Sequence, residues 1–302
     1  MTPDISIILV SYGSREMTLA CLRSVDVGAV DARCETIVVD NGSVDGSPES
    51  IAAEFPQVIL LRLSANLGFA AACNLAAHEA QGEYILLLNP DTLVQHGSID
   101  RLLEFARRRP DAGIWGGRTV FADGSLNPTS CSRRLTVWGL FCIGVGLDTR
   151  FSWSPLFNSY GYGGWRRDSE REVDVVAGCF LLVRKSLWNS LHGFAEEFFM
   201  YGEDVDLCMR AEQVGFRPVV TPEATIVHHG SGTESDKARK IRQLFAARAI
   251  LIRKYFPPMK RRLGLALLAL RPMLGRRFAK PGLRKTWEDV WELRSHWMKG
   301  QF

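Results

Sequence analysis

Short apolar runs alternate with amphipathic segments through the first third of the chain. Continuous apolar runs are typical of strands in a parallel sheet that is covered on both faces. Four such runs predict four strands, ISIILVS (5–11), TIVVD (36–40), VILLRL (58–63) and EYILLLN (83–89).

Between these runs, apolar residues recur every three or four positions, which predicts helices with one buried face. The clearest repeats fall at 69–80 and 98–109. This alternation predicts an α/β fold with an open, mostly parallel sheet flanked by helices. Ligands of such sheets bind at the carboxyl ends of the strands.

Polar and glycine residues collect where the predicted strands end. The four segments are SYG (11–13), DNGSVDGS (40–47), NLGFAAACN (66–74) and NPDT (89–92). Each alone is ordinary turn chemistry. Four together, at successive strand ends, favour a shared nucleotide site. The chain has no G-x-x-x-x-G-K loop and no G-x-G-x-x-G turn after the first strand, so this site does not depend on either phosphate loop.

Acidic residues crowd into the aromatic stretch FFMYGEDVDLCMR (198–210). Burying a carboxylate without a partner is costly, so Glu203, Asp204 and Asp206 need an explanation. One interpretation is that they only charge the start of a helix. The other is that one of them is a catalytic base. Arg210 lies four residues after Asp206, which predicts an ion pair on one helix face.

The same helix is expected to run to about residue 214. Its predicted buried face consists of Leu207, Ala211 and Val214.

Composition narrows the classes of protein. With 302 residues, 46% hydrophobic and 23% charged, the chain is long enough for a large globular core. Its seven cysteines are scattered and form no C-x-x-C pair, which argues against a disulfide framework or a zinc site. No apolar run approaches the roughly 18 residues of a membrane span. We find no signal-peptide pattern and expect a cytoplasmic protein.

Charge divides the chain near residue 234. Residues 235–302 hold 18 Lys and Arg against 4 Asp and Glu, whereas residues 1–234 hold 19 against 29. A basic tail suggests an anionic partner, either lipid or nucleic acid. The tail contains no recognisable nucleic-acid module, so we expect no nucleic-acid partner.

The tail also carries a pattern typical of membrane surfaces. The tail is helix-rich by pattern, with a predicted break at Pro257-Pro258. Beyond that break, the segment MKRRLGLALLALRPMLGRRF (259–278) places an apolar run between two basic clusters. That arrangement suits a helix in an anionic membrane interface, with Trp287, Trp291 and Trp297 among the headgroups. We therefore predict a peripheral location on the inner face of the cell membrane. The alternative is that these side chains pack on protein, including a second subunit of a homodimer.

The motif set resembles the family 2 glycosyltransferases over about residues 5–233. The matching segments are VSYGS, VVDNGSVDGS, NLGFAAACN, YILLLNPD, VAGCFLLVRK, GFAEEFFMYGEDVDLCMR and IVHHGSG. They are most similar to bacterial rhamnosyltransferases of cell-surface polysaccharide synthesis. The resemblance implies a GT-A fold at 1–234, with a nucleotide-binding half at 1–112, an acceptor-binding half at 113–234 and a basic helical extension at 235–302.

The resemblance also implies roles for single residues. Asp40 would accept the imide N–H of a pyrimidine base, and a charge-assisted bond of this kind is strong. Ser11 and Tyr12 would lie by the base and ribose. The rest of the nucleotide-sugar pocket would comprise Asn41, Asn66, Gly68, Asn74 and Asn89.

By the same resemblance, Asp91 and His228 would hold a divalent metal, Mg²⁺ or Mn²⁺, against the diphosphate. His228 matches the family position better than His229. Many relatives have D-x-D where this chain has Asn89-Pro90-Asp91, so one carboxylate is missing and modest metal affinity is expected. The GSG that follows at 230–232 suits a loop closing over the diphosphate.

At the acceptor end, the resemblance makes Asp204 the base, assisted by Glu203. Tyr201 and Asp206 would contact the acceptor. A single base without a covalent intermediate implies inversion at the anomeric carbon. The favoured donor is dTDP-rhamnose, with UDP- and GDP-sugars as alternatives, and the favoured acceptor is a saccharide on a polyprenyl diphosphate.

A hypothesis of another class stays open from the sequence. The chain would then be a catalytically inactive protein that binds nucleotide sugars or polysaccharide. Its intact acidic segment and HHG motif argue against that hypothesis. Residues 130–170, which include Trp138, Trp153 and Trp165, are either an acceptor loop or ordinary core and turns.

Overall fold

The computed structural model describes residues 2–230 and 237–301, which form two compact units. The first unit comprises Met1–Ser132, Arg166–Phe199 and Glu203–Thr233, and the second comprises Arg133–Trp165, Met200–Gly202 and Glu234–Phe302. Residues 133–165, assigned by sequence to the acceptor-binding half, thus group with the tail. Residues 231–232 of the predicted loop, and the predicted boundary at 234, lie outside the described residues.

The strands of the first unit are β1 Ile5–Ser11, β2 Cys34–Asp40, β3 Ile59–Arg62, β4 Tyr84–Leu88, β5 Thr92–Val94, β6 Ile114–Val120, β7 Cys131–Ser132, β8 Arg171–Glu172, β9 Val175–Val176, β10 Phe180–Arg184 and β11 Val219–His228. Its helices are α1 Arg15–Gly28, α2 Ser47–Glu54, α3 Phe69–Glu79, α4 Ser98–Arg108, α7 Lys185–Ser190 and α8 Glu203–Gln213. The second unit contains α5 Val137–Val145, α6 Leu147–Arg150, α9 Lys237–Tyr255, α10 Pro258–Phe278, α11 Pro281–Glu292 and α12 Arg294–Trp297.

The main sheet has the order β3-β2-β1-β4-β10-β6-β11-β5, and β8 pairs with β11. Strands β3, β2, β1 and β4 are parallel, as the alternating pattern predicted. Strand β10 then enters antiparallel between β4 and β6. The predicted α/β architecture is therefore confirmed, and the four parallel strands point their carboxyl ends to one edge.

The core of the first unit lies between this sheet and its helices. Leu9, Leu88 and Leu182, on three neighbouring strands, have no exposed surface. They belong to one apolar cluster with Leu22 of α1 and Leu102 of α4. Because consecutive apolar residues fill both faces of β1 and β4, these strands are buried throughout.

Helix α8 begins at the predicted position, but one of its predicted core residues is wrong. Leu207 and Ala211 are fully buried, whereas Val214 is 57% exposed. The helix ends at Gln213, and Gly215 follows with a φ of +94°. Val214 therefore lies past the last turn, where the helical repeat no longer sets its direction.

The second unit has its own small core. Phe245 of α9, Leu268 of α10, Val290 of α11 and Leu140 of α5 belong to one apolar cluster. The predicted break at Pro257-Pro258 is confirmed, because α9 ends at Tyr255 and α10 begins at Pro258. A proline suits the first position of a helix, where its missing N–H costs nothing.

Trp297 corrects one expectation about the tail. Its side chain is fully buried in the same cluster, and its Nε1 donates to the carbonyl of Val290 at 2.7 Å. Trp287 is partly buried against that cluster, and Trp291 lies between the guanidinium groups of Arg276 and Arg294. The prediction that Trp297 lies among lipid headgroups is therefore wrong, because this ring holds the short helices together.

All seven cysteines are free, as their scattered positions predicted. Within residues 2–230 and 237–301, no helix is both long enough and apolar enough to cross a bilayer.

Candidate active site

Asp40 ends β2 with one carboxylate oxygen left without a partner. The residue is only 2% exposed. Its Oδ1 accepts the backbone N–H of Ser43 at 2.9 Å, while its Oδ2 has no hydrogen-bond partner in the part of the chain that the structure describes. A buried, unpartnered carboxylate oxygen is costly, and a ligand N–H would satisfy it. This geometry suits the role predicted for Asp40.

The neighbouring asparagines shape the loop before α3. Asn41 accepts the N–H of Leu67 at 2.9 Å and donates to the side chain of Asn66 at 3.0 Å and to the carbonyl of Gly68 at 3.2 Å. Asn66 in turn accepts the N–H of Gly68 at 2.9 Å. Both amides are thus committed to holding the loop, and their contact with a nucleotide stays a prediction.

Gly68 stands where a side chain does not fit. Its φ is +87°, and a Cβ there would lie 2.5 Å from the carbonyl oxygen of Phe199. The next N–H, of Phe69, donates to that same carbonyl at 2.7 Å. The loop at the start of α3 therefore fits closely against the backbone of Phe199, and the glycine permits this approach.

Three other predicted nucleotide residues lie in different settings. Ser11 is buried, with its Oγ 2.9 Å from Thr18, whereas Tyr12 is 48% exposed. The amide of Asn74 makes two 2.9 Å bonds to the backbone of Phe194, so it fixes that turn. Their contacts with a nucleotide stay predictions.

Asp91 and His228 meet at the edge of the sheet. Strand β5 pairs with the end of β11, with His228 opposite Thr92. This register brings Nε2 of His228 to 3.3 Å from Oδ1 of Asp91, and the N–H of His229 donates to the carbonyl of Asp91 at 3.1 Å. Both side chains are largely buried. The two predicted metal ligands are therefore neighbours.

The electrostatics of this pair favour opposite charges. Burial raises the pKa of Asp91, but the hydrogen bond and charge of His228, together with backbone hydrogen bonds, outweigh burial, and the pKa is lowered overall. Burial lowers the pKa of His228, while hydrogen bonds to Asp91 and Cys179 raise it to about 10. Thr129 Oγ1 lies 3.4 Å from the other ring nitrogen of His228.

The pair fits a divalent cation as two ligands of a larger set. A carboxylate oxygen suits Mg²⁺ or Mn²⁺, and a neutral imidazole nitrogen is a common ligand of transition metals. The described residues contain no group of three His, Cys, Asp or Glu side chains arranged for a metal. The remaining ligands would therefore be diphosphate oxygens and water, in agreement with the missing carboxylate at Asn89.

The turn that carries Asp91 is fixed on both sides. Thr92 Oγ1 donates to the carbonyl of Asn89 at 2.7 Å, and the Cys21 thiol approaches the same oxygen at 3.5 Å. The N–H of Asn89 donates to the carbonyl of Cys179 at 3.3 Å. These contacts with the backbone hold Asp91 in place, and the sugar-binding role of Asn89 stays a prediction.

Glu203 and Asp204 begin α8 after two residues with positive φ, Tyr201 at +68° and Gly202 at +89°. Glu203 is 5% exposed, and its Oε2 has no hydrogen-bond partner within residues 2–230 and 237–301. Burial and the charge of Asp204 raise the pKa of Glu203 well above its ordinary value.

Asp204 is partly exposed and positioned by backbone donors. Its Oδ2 accepts the N–H of Gly178 at 3.1 Å, and its Oδ1 accepts the N–H of Val205 at 2.8 Å. Burial raises the pKa of Asp204, and these two N–H groups offset part of that increase. A carboxylate with a raised pKa and remaining lone pairs can take a proton from a hydroxyl group.

The turn at residues 178–179, just before β10, contacts both Asp204 and His228. The N–H of Gly178 binds Asp204, and the next residue, Cys179, contacts His228 and accepts the N–H of Asn89. This segment therefore contacts both the predicted base, Asp204, and His228 of the predicted metal-binding pair. Sequence reasoning did not identify this contact, because a backbone donor has no sequence signature.

The structure also adds Asn127 and Thr129, which sequence reasoning missed. Asn127 Nδ2 donates to the carbonyl of His228 at 3.0 Å, and its Oδ1 accepts the Thr129 hydroxyl at 2.7 Å. They hold the end of β11 where its histidine faces Asp91. The only signal in the sequence is the turn-forming run NPTS (127–130).

Asp206 is fully buried beside Arg210. Arg210 Nε lies 2.7 Å from its Oδ2, which confirms the predicted ion pair. The guanidinium also donates to the carbonyls of Leu191 and Gly193. These bonds anchor α8 to the preceding turn. The predicted acceptor contact of Asp206 stays a prediction, as does that of Tyr201, which belongs to the second unit.

Comparison with known sequences gives a consistent set of similarities. The sequence profile of glycosyl transferase family 2 matches residues 6–191. N-acetylglucosaminyl-diphospho-decaprenol L-rhamnosyltransferase of Mycobacterium tuberculosis is 32% identical over 241 residues, which cover 76% of this chain and 77% of that protein. Rhamnosyltransferase WbbL of Escherichia coli is 29% identical over 151 residues, 50% of this chain and 53% of that protein.

Solved structures with the same fold include a mannosyltransferase from Pyrobaculum calidifontis in complex with GDP-Man and Mn²⁺. It matches 98% of this chain and 76% of its own with a TM-score of 0.57 at 16% identity. TarS 1-349 of S. aureus, in complex with UDP-GlcNAc, matches 95% of this chain and 79% of its own with a TM-score of 0.54 at 16% identity. At this identity the likeness concerns the GT-A fold alone.

Proposed function

The chain belongs to glycosyl transferase family 2, and on that premise we propose that it is an inverting glycosyltransferase with Asp204 as its base. The observation that carries this proposal is the segment 178–179, in which the N–H of Gly178 donates to Asp204 and the Cys179 side chain hydrogen-bonds with His228. Transfer from a nucleotide sugar needs a base for the attacking hydroxyl and a positive charge for the leaving diphosphate. Asp204 would supply the base, and a cation held by Asp91 and His228 would supply the charge.

Asp204 takes the proton of the acceptor hydroxyl as that oxygen bonds to the anomeric carbon. The bond from this carbon to the diphosphate oxygen breaks, and the diphosphate leaves with the electron pair. Because one displacement occurs without a covalent enzyme intermediate, the anomeric configuration inverts. Burial and the charge of Asp204 raise the pKa of Glu203 well above its ordinary value, so ionisation of Asp204 opposes a second negative charge on Glu203.

The nucleotide is proposed to lie at the ends of β1 to β4. Asp40 accepts an imide N–H of the base, an assignment that rests on its unpartnered Oδ2. Ser11, Tyr12, Asn41 and Asn66 complete the surroundings of the base and ribose. Selection of uracil, thymine or guanine over cytosine follows, since only the first three present such an N–H.

Asp91 and His228 are the residues that would hold Mg²⁺ or Mn²⁺. When bound, the cation neutralises charge on the leaving diphosphate. Support comes from the adjacency of a carboxylate and an imidazole, and from the Mn²⁺ in the mannosyltransferase of the same fold. His228 must release its proton to bind a metal, and Thr129 and Asn127 keep its ring facing Asp91.

The donor sugar is proposed to be rhamnose, carried by dTDP, and the acceptor a saccharide linked to a polyprenyl diphosphate. The choice of rhamnose and of a lipid-linked acceptor follows the mycobacterial relative, an N-acetylglucosaminyl-diphospho-decaprenol L-rhamnosyltransferase. Cell-surface polysaccharide synthesis is the corresponding process. We place the chain on the cytoplasmic face of an anionic membrane, because polyprenyl acceptors reside in membranes and the extension at 235–302 is basic. A homodimer through the extension is the competing arrangement.

A donor screen tests this function. The purified chain is supplied with Mg²⁺ or Mn²⁺, a polyprenyl-diphosphate-linked N-acetylglucosamine and one nucleotide sugar at a time. Release of nucleoside diphosphate should occur with dTDP-rhamnose and be absent without the acceptor. Turnover with only a UDP- or GDP-sugar would show that the donor is that nucleotide sugar and not dTDP-rhamnose. Binding of donors without any turnover would instead identify a catalytically inactive binding protein.

A further inference from the structure

Helix α5 of the second unit is apolar on all sides, yet one of its faces is exposed. The helix, VWGLFCIGV, carries no charged side chain. Leu140 and Ile143 face the core of the unit. On the other side, Trp138, Phe141 and Val145 are 42%, 37% and 37% exposed. A helix that is apolar all round is normally covered, by protein or by lipid.

The loop after α6 extends this exposed apolar surface. Phe151, Trp153 and Leu156 are 43%, 55% and 58% exposed. The loop joins α5 through Phe157, whose ring centroid lies 6.4 Å from that of Trp138 and 5.2 Å from that of Phe151. We call the exposed set the aromatic surface; it consists of Trp138, Phe141, Val145, Phe151, Trp153 and Leu156.

The loop is an ordered turn that presents these side chains. The N–H of Ser154 donates to Phe151 O at 2.9 Å, and the N–H of Asn158 donates to Ser154 O at 2.9 Å. The Asn158 side chain closes the turn with a 2.7 Å bond to Ser152 O. Trp138 Nε1 donates to Leu156 O at 2.8 Å, so this indole can enter an apolar phase without an unpaired donor.

The net positive charge of the second unit indicates what kind of partner covers the aromatic surface. The residues of the second unit hold 21 Lys and Arg against 6 Asp and Glu. Arg150 lies over the ring of Phe151 at 5.3 Å. On α10, which packs on α5, Arg262, Arg276 and Arg277 are exposed. Two copies of so basic a unit repel each other, whereas an anionic bilayer attracts it.

We propose that the aromatic surface inserts into the headgroup region of an anionic bilayer, with the arginines of the same unit on lipid phosphates. The inference rests on the proposed membrane location and assigns that contact to α5 and the loop at 151–157 instead of to the tryptophans of the tail. Aromatic rings with adjacent cationic groups are the side chains that interfaces favour.

The first test is flotation of the full-length chain with vesicles. Vesicles of phosphatidylglycerol and phosphatidylethanolamine are compared with vesicles of phosphatidylcholine. The wild type should float with the anionic vesicles. The affinity of the double variant Trp153→Ser, Leu156→Ser for these vesicles should be at least about tenfold lower, because two large apolar groups no longer leave water on binding. Both residues are more than half exposed, so the fold should survive.

The matched control is Val44→Ser, a fully exposed apolar residue of the first unit, which should float like the wild type. A second measurement follows quenching of tryptophan fluorescence by lipids brominated along the acyl chain. Wild-type fluorescence should be quenched, and the quenched fraction should fall in the Trp153→Ser, Leu156→Ser variant. Circular dichroism verifies that the variant is folded.

Three results would overturn the inference. Equal flotation of the wild type and the double variant would exclude the aromatic surface as the bilayer contact. Equal binding to neutral vesicles would exclude the electrostatic part. Concentration-dependent dimers in sedimentation that the double variant lacks would identify the surface as a protein interface. Transfer to a water-soluble acceptor is measured separately, so a failure of the proposed chemistry does not affect this result.

Discussion

Glu203 and Asp204 are adjacent in the chain, but only Asp204 reaches solvent. Glu203 is 5% exposed with an unpartnered Oε2, whereas Asp204 is partly exposed and held by the N–H groups of Gly178 and Val205. Two neighbouring carboxylates with different exposure will titrate differently and will have different roles. The partly exposed one can meet an acceptor hydroxyl.

Replacing Asp204 with Asn should abolish sugar transfer and leave donor binding nearly unchanged. The amide keeps the shape of the carboxylate and loses its basicity, and loss of a general base costs on the order of 10²–10⁴-fold in rate. The measurement is nucleoside diphosphate release, together with calorimetric donor binding. The control is Asp26→Asn, an exposed aspartate of α1. Turnover within a few-fold of the wild type would remove Asp204 from this role.

The rate should fall on the acid side at a pH above the ordinary carboxyl pKa of 3.8, because burial raises the pKa of Asp204. Asp204 must be ionised to act, so kcat/KM decreases as pH falls through the raised pKa. The free energy of unfolding has the opposite pH dependence to kcat/KM. The folded state binds this proton more tightly than the unfolded state, so the free energy of unfolding increases as pH falls through the same range.

Urea unfolding at several pH values separates this effect from catalysis. In the Asp204→Asn variant, the gain in stability on acidification should be smaller than in the wild type. Identical pH profiles for both proteins would mean that Asp204 has an ordinary pKa.

Replacing Asp91 with Ala should weaken metal-dependent donor binding. Asp91 is the one carboxylate of the NPD turn and lies 3.3 Å from His228, so its loss leaves one predicted protein ligand. Activity of the wild type should vanish in chelator and return with Mg²⁺ or Mn²⁺. High metal concentration should partly rescue the variant, because diphosphate oxygens supply other ligands. Full wild-type activity in chelator would contradict the assignment of Asp91 and His228 as metal ligands.

Replacing Asp40 with Asn should weaken binding of UDP by roughly 10–100-fold, the value of a hydrogen bond to a charged group. UDP presents an imide N–H to the unpartnered Oδ2, whereas CDP presents an acceptor at the same ring position. The wild type should therefore prefer UDP or dTDP to CDP, and the variant should lose that preference. Calorimetry with UDP and CDP measures this preference. An unchanged preference in the variant would mean that the nucleotide base does not contact Asp40.

Replacing Arg210 with Met should destabilise the fold by about 3–5 kcal/mol, the cost of removing one partner of a buried ion pair. Asp206 has no exposed side chain, and Arg210 is its ion-pair partner at 2.7 Å. Urea unfolding measures the loss. The control is Arg108→Met, which breaks ion pairs of a half-exposed arginine and should cost about 0–1 kcal/mol. Equal effects of both substitutions would contradict the anchoring role of Arg210.

Strands and helices with strong local patterns could be predicted from the sequence. Strand β1 is observed at its predicted bounds, and β4 lies within a residue or two of them, because their apolar runs are continuous. Val214 was misassigned because the pattern does not mark where α8 stops. Trp297 was misassigned because helical spacing shows which residues share a face but not what covers that face.

In the candidate site too, features that depend on tertiary packing could not be predicted from local patterns. Asp91 and His228 were expected together from family resemblance, and no local pattern predicts that β5 and β11 pair. The N–H of Gly178 and the amide of Asn127 were missed, because each acts through a backbone contact that tertiary folding alone creates.

The position of β10 has a consequence for the growing polypeptide on the ribosome. This strand separates β4 from β6 in the sheet, although β6 is synthesised well before it. Until residue 184 has emerged, β4 has an open edge and β6 lacks its neighbour, so early fragments expose unpaired strands. The last strand, β11, then brings His228 to Asp91. A nascent chain can therefore fold the strands β1 to β4 early, yet it brings Asp91 and His228 together only when the first unit is nearly finished.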